Sequence, residues 1–354
     1  MILFGVLAVV TGACFGDADL DFARQSRLWL LQNERITESS GVAPSNRVDG
    51  VYWTHNDSGD GPNLFAFDET GKDLGVYTLA GVVALDWEDM SSAVVGGKQY
   101  LYVGDIGDNL GRRSDVVVYR IPEPDPRAGG GKIERFDTYR LTYPDGPHNC
   151  ETLLVTPSGG IQLVTKSRDG VCGVYALPAP ASSGAYELKR VGEFRLVSED
   201  PFDRVATAGD ISPDGGRVVI RTYRRALIWT WEPSGNWFEM KPAVVSLPKE
   251  RQGEAICFDR AAKRLVSTSE GRPCAVSVTP LPNVSANGAD AYSASLGGTS
   301  APRLSARLRM SPTASSSVRR GSSFFASSVS SSARAVSDFL AHTGSRVVLT
   351  ATLR

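Results

Sequence analysis

Four glutamates stand at the head of short apolar runs: Glu38 in ESSGVAP, Glu88 in EDMSSAVV, Glu151 in ETLLVTP and Glu254 in EAICFDR. Each run leads through a turn into an apolar strand and then a polar loop. Those loops hold His55, Asn56, Asp57 and Ser58; Asp105, Asp108, Asn109, Arg112 and Arg113; Lys166 and Arg168; and Glu270 and Arg272. A further copy places Arg221, Tyr223 and Arg224 in its loop, but Thr207 stands where a glutamate is expected. Asp210, an odd number of residues further on, faces the opposite side of a regular strand. Asp86 and Asn149 stand two residues ahead of Glu88 and Glu151 and so share their side.

Brought to one place, such carboxylates raise one another's pKa and call for a counter-charge. Ca²⁺ suits them, because it takes several oxygen ligands in loose geometry. The expected ligands are some of Glu38, Glu88, Glu151 and Glu254, with Asp57 or Asp105 from the loops; the competing reading has each glutamate merely bonding the backbone of a neighbouring repeat. Three unclustered histidines and no Cys-x-x-Cys argue against zinc. A bound metal would polarise a phosphate or ester oxygen and acidify a water, with Glu88, Asp57 or His55 taking the proton. Arg112, Lys166, Arg221 and Tyr223 are the expected holders of an anionic substrate. No Ser/His/Asp order and no Gly-x-Ser-x-Gly elbow occurs, so hydrolysis would proceed without a covalent intermediate.

Positioning these groups together requires a repeat architecture. After each hairpin comes a third strand (NLFAFD, DVVVYRIP, GVYALP, ALIWTWEP, CAVSVTPL) and then a fourth (LGVYTLAG, RFDTYRLTY, YELKRVGEFRLV, AVVSLP). Repeated four-stranded antiparallel units predict an all-β propeller over residues 27–282, in which the loops after each second strand open on the same rim as the starts of the innermost strands. A β-sandwich is the alternative, but it does not explain an acid recurring at one register. The last repeat lacks a fourth strand, and the segment from Arg27 to Ile36 is a strand with no repeat before it. Closure of the ring by that N-terminal strand follows, with five blades, or six if the tail hides one.

The flanks differ from this body. Residues 1–26 read as a signal peptide and leader: the apolar run from Ile2 to Ala13 is too short to span a bilayer and ends in small residues. Cys14 adds a lipoprotein alternative, although Thr11 and the absence of a preceding basic residue depart from the pattern. A secreted or envelope-associated protein is expected, with no transmembrane segment once processed. Residues 283–354 contain 18 serines, eight Arg and two Asp and predict a mostly disordered tail with a short helix near residues 333–342. The tail carries 8 − 2 = +6 and the remainder (38 − 8) − (39 − 2) = −7. An acidic body suits cations and argues against nucleic acid. A monomer is expected, acting on a small anionic or ester substrate or holding a surface partner. Cys150 and Cys172, like Cys257 and Cys274, fall on first and third strands about 9–10 Å apart, which favours free buried thiols.

The motifs ESSGV with HNDSG, DWED with GDIGDN, TYPDGPHNCETLL, and QGEAI with STSEG resemble the exported bacterial propellers described as esterase-like activity of phytase. The resemblance covers residues 38–282. It implies a calcium-bearing propeller and phosphoester hydrolysis, but Thr207 leaves one position of the acid ring empty. A non-catalytic binding module and a purely structural propeller are the competing functional classes.

Overall fold

A computed structural model describes residues 26–179, 182–231 and 236–281. The leader with Cys14 and the Ser-rich tail with its expected helix lie outside the described residues. The described chain is all-β, and no helix in it is long and apolar enough to cross a membrane.

Strand β1 (Arg27–Leu30) precedes the first blade, β2 (Ser39–Pro44), β3 (Val51–Asn56), β4 (Asn63–Asp68) and β5 (Asp73–Leu79). The second comprises β6 (Trp87–Val95), β7 (Lys98–Asp105), β8 (Val116–Pro122) and, after the excursion of β9 (Gly129–Ile133), β10 (Asp137–Thr142). The third is β11 (Cys150–Val155), β12 (Ile161–Thr165) and β13 (Val171–Leu177), then β14 (Gly184–Glu187) elsewhere, and β15 (Lys189–Arg195). The fourth is β16 (Ala208–Ile211), β17 (Arg217–Arg221), β18 (Arg225–Thr230) and β19 (Ala243–Ser246). The fifth is β20 (Gly253–Phe258), β21 (Arg264–Ser269) and β22 (Ala275–Pro280), completed by β1, which pairs antiparallel to β22 from Arg27↔Val278 to Leu30↔Ala275. The ring therefore has five blades and is closed by its N-terminal strand. The innermost strands β2, β6, β11, β16 and β20 pack in that cyclic order around the axis.

Period-two alternation explains why the strands read as nearly continuous apolar runs. Leu64 and Ala66 face Trp87, Met90 and Val103 of the second blade, whereas Phe65 and Phe67 face Val266 and Val276 of the fifth. Both faces of a blade are thus buried, and each fully buried Leu or Phe contributes about 1.5–3 kcal/mol. The β6–β7 hairpin turns on Gly96 and Gly97, whose φ values of 58° and 77° suit the tight turn that right-twisted strands require. The four described cysteines are buried free thiols.

Two strands escaped the sequence reading. β9 adds parallel to β5 on the outer edge of the first blade, and β14 adds parallel to β10 on the outer edge of the second. The segment YELKRVGEFRLV is consequently divided: Tyr186 and Glu187 belong to β14, and the fourth strand of the third blade begins at Lys189.

Candidate metal centre

The rim is shaped by β-bulges at the starts of the innermost strands. In β6 the register passes from Trp87↔Asp105 to Asp89↔Gly104, leaving Glu88 as the extra residue. Glu151 is the extra residue between Cys150↔Thr165 and Thr152↔Val164, and Glu254 between Gly253↔Ser269 and Ala255↔Thr268. A bulge re-aims the side chain of its unpaired residue, and here three glutamates are re-aimed alike. In the first blade the extra residue is Ser40, between Ser39↔Asn56 and Gly41↔His55. Glu38 stands two positions earlier and is exposed. The likeness of ESSGVAP to ETLLVTP puts Glu38 in register with Glu151, but Pro44 ends β2 in the pairing Pro44↔Tyr52, whereas Pro157 lies beyond the end of β11. β16 pairs regularly with β17 and has no re-aimed residue at all; Thr207 donates its hydroxyl to the Gly253 carbonyl at 3.4 Å.

Asp57 is the hinge of the carboxylate cluster. One oxygen from each of Asp57, Asp86 and Glu88 lies within 4.8 Å of the others, and the same holds for Asp57, Glu254 and Glu270. Asn56 fixes the approach of Asp57: its Oδ1 accepts the Thr37 and Glu38 N–H groups at 3.0 and 3.2 Å, and its Nδ2 donates to Asp60 and the Arg35 carbonyl at 2.8 Å each. Gly107 lets its backbone pass against the Glu88 and Asp86 carboxylates, where any Cβ would collide with both. Gln252 Nε2 donates to Glu254 and Glu270 at 2.9 and 2.8 Å and holds the second triad together.

Burial pushes the Asp57 carboxyl up to about 6, with Glu254, Asp86 and Glu38 adding repulsion. Glu88 is raised well above the carboxylate range by burial and by Glu151, Asp57 and Asp86. Burial, then Glu254, lifts Glu270 to about 9; burial also raises Asp86, against the pull of Arg113. Glu151 rises to about 7 through burial even though Lys166 is ion-paired to it. Burial alone would lower Lys166, but Glu151, Tyr223 and Glu254 hold it protonated above its usual range. Lys166 Nζ donates to the Tyr223 hydroxyl at 3.1 Å, and that hydroxyl donates to Glu254 at 3.1 Å. The rim thus gathers six carboxylates around one already paired lysine. An all-oxygen donor set with excess negative charge fits a hard cation, and either triad could hold one.

The other expected site residues lie apart from this cluster. Asp105 is ion-paired to Arg113 at 2.8 Å and accepts the N–H groups of Leu85 and Asp86 at 3.0 and 3.2 Å. Arg112 lines an outer cavity with Asp115 and Arg140. Arg221 is fully buried, paired to Glu250 at 2.6 Å and donating to the Ala255 carbonyl at 2.8 Å, which ties the fourth blade to the fifth. His55 is fully buried beneath the rim; its Nδ1 lies 2.9 Å from the Asn56 carbonyl and its Nε2 sits against the Gly41 backbone. Burial lowers its pKa to about 4.

Beneath the rim, two aspartates bridge the ring. Asp89 Oδ2 accepts the Leu153 and Gly209 N–H groups at 2.9 and 3.2 Å, joining the second blade to the third and fourth. Asp210 accepts the Phe258 N–H at 3.0 Å and the Ser91 hydroxyl at 3.3 Å. Asp89 was invisible as a bridging group in the sequence because its partners are backbone amides of other blades. Asp86 and Glu270 could have been assigned to the cluster from their rim positions.

No protein-family model matches this chain, and no curated protein matches it by sequence. Among solved structures, the chain is similar to the PQQ-bound aldose sugar dehydrogenase of Streptomyces coelicolor, at 10% identity and a TM-score of 0.42 over 72% of this chain and 98% of that one. It is also similar to XC5397 of Xanthomonas campestris, described as a gluconolactonase, at 14% identity and a TM-score of 0.41 over 79% and 99%.

Proposed function

We propose that this protein is an exported, monomeric calcium-binding propeller that hydrolyses an ester or phosphoester with metal-activated water. The observation that carries the reading is the pair of carboxylate triads meeting at Asp57. In this reading Asp57 with Asp86 and Glu88, or with Glu254 and Glu270, holds the cation. The cation, when bound, supplies Lewis acidity to a substrate oxygen and to a water. A rim carboxylate outside the coordination set receives the proton, a role open to Glu88 when the second triad holds the cation. Lys166 and Tyr223, alone among the expected anion holders, stand beside the triads and orient the substrate. Six carboxylates repel a polyanion, which favours neutral esters or lactones over highly phosphorylated substrates unless cations offset the charge. The phosphoester arm rests on the motif resemblance, and the exported location on the leader-like segment.

A second reading, a non-catalytic binding module, is supported by the engagement of Lys166 with Glu151 and the burial of Arg221 and His55. A calcium-dependent turnover screen with phosphomonoesters, inositol phosphates, carboxylic esters and lactones separates the two. Turnover abolished by chelator and by Glu88→Gln and Asp57→Asn is expected. Calcium binding without turnover on any substrate would leave the binding module.

A further inference from the structure

A second site lies between the fourth and fifth blades. Leu265 and Leu281 of the fifth blade close the lower part of that seam against Val245 and Ile228 of the fourth. Further up, the same face carries Ser267 and Ser277, which are cross-strand partners. The apolar packing therefore ends in polar ground, and a cavity of about 410 Å³ opens there between residues 248–251, residues 269–273 and β1.

Three features of its lining point to a ligand. Arg27, Lys249, Arg251 and Arg272 surround the cavity, and among the described residues none of the four makes an ion pair or side-chain hydrogen bond. Glu250, an acid in the same wall, is already neutralised by Arg221 and accepts the Ser267 hydroxyl at 2.8 Å. The Ser277 hydroxyl is buried, with 1% of the residue exposed, and has no partner, an arrangement native interiors seldom leave unused. Leu28, paired with Ser277 across the sheet, lines the same cavity and is 67% exposed, which gives the site an apolar lip.

We propose that this cavity binds a small organic anion, whose oxyanion is taken by Lys249, Arg251 and Arg272 and whose apolar part lies against Leu28. The site is cationic where the neighbouring rim is anionic, and it stands independently of the metal reading. Glu270 lines the cavity and also belongs to the second carboxylate triad, so the two sites adjoin.

The test is calorimetric titration of the full chain in chelator with hexanoate, hexyl phosphate, inorganic phosphate and hexanol. Saturable binding of hexanoate or hexyl phosphate is expected, and their ranking tells a carboxylate ligand from a phosphate one. Hexanol should fail to bind, and inorganic phosphate should bind at least about ten-fold more weakly than its hexyl ester. Arg251→Ala and Lys249→Ala, at exposed positions, should each weaken binding about ten-fold or more, and Ser277→Ala should weaken it with the fold intact by circular dichroism. Asp57→Asn, which removes the carboxylate shared by both triads, should leave affinity unchanged. The proposal is overturned if neither organic anion binds, if hexanol or inorganic phosphate binds as well as they do, or if Arg251→Ala and Lys249→Ala leave affinity intact.

Discussion

The Asp89 carboxylate, on the innermost strand of the second blade, accepts the Leu153 backbone N–H of the third blade at 2.9 Å and spans the seam between them. The same oxygen takes the Gly209 N–H of the fourth blade. Removing it strands buried donors, each costing about 1–3 kcal/mol. Asp89→Ala should therefore lose on the order of 3 kcal/mol in urea denaturation, with Asp89→Asn retaining part of it. A loss under about 1 kcal/mol would show that these bonds hold little of the ring together.

Arg221 is a structural group rather than an anion holder. Its guanidinium is sealed between blades against Glu250 and the Ala255 carbonyl. Arg221→Met leaves Glu250 buried and unpaired and should destabilise by about 3–5 kcal/mol. Substrate affinity at temperatures where the variant stays folded should not change. Affinity lost without loss of stability would return Arg221 to the binding surface.

The rim carboxylates give the metal-free protein a pH dependence of definite sign. Asp57, Glu151 and Glu270 keep protons in the folded state up to about 6, 7 and 9, whereas in the unfolded chain they release them at ordinary carboxylate values. Their contribution to stability is greatest in acid and falls as pH rises through those values. Calcium should displace the protons, so its stabilising effect grows with pH. Melting curves at about pH 5.5 and pH 8, with calcium and with chelator, should show the larger calcium shift at pH 8. Equal shifts at both would argue against the rim as the binding place.

His55 should behave in the opposite sense. Its folded pKa of about 4 lies below the unfolded value, so its contribution is present above about 6.5 and is lost as pH falls through 4. Proton NMR should show a neutral His55 imidazole down to about pH 5. Titration near 6.5 would mean that the ring is open to solvent and available as a base.

Much of this architecture is legible in the residues themselves. Alternation as in Leu64–Phe65–Ala66–Phe67 declares strands buried on both faces. The orphan segment beginning at Arg27, set against a last repeat lacking its fourth strand, is enough to predict the closure that the β1–β22 pairing displays. The recurrence of an acid at the start of the innermost strands predicts a carboxylate rim, and there Glu88 meets Asp57 in one triad and Glu254 meets it in the other.

Local periodicity thus encodes the strands, their grouping into blades, and the end of the ring where charge collects. Which of those charges stay free is fixed by folding. A bulge shifts register without a sequence mark, so Ser40 rather than Glu38 takes the first blade's rim position. Pairing depends on distances that folding sets: Lys166 is engaged by Glu151 and Asp105 by Arg113 within their own blades, Arg221 by Glu250 at the seam of the fourth and fifth, while Asp57 of the first blade meets Asp86 of the second and Glu270 of the fifth. A side chain's type sets the interactions open to it, but burial and the nearest opposite charge, both products of the closed ring, select the one it makes.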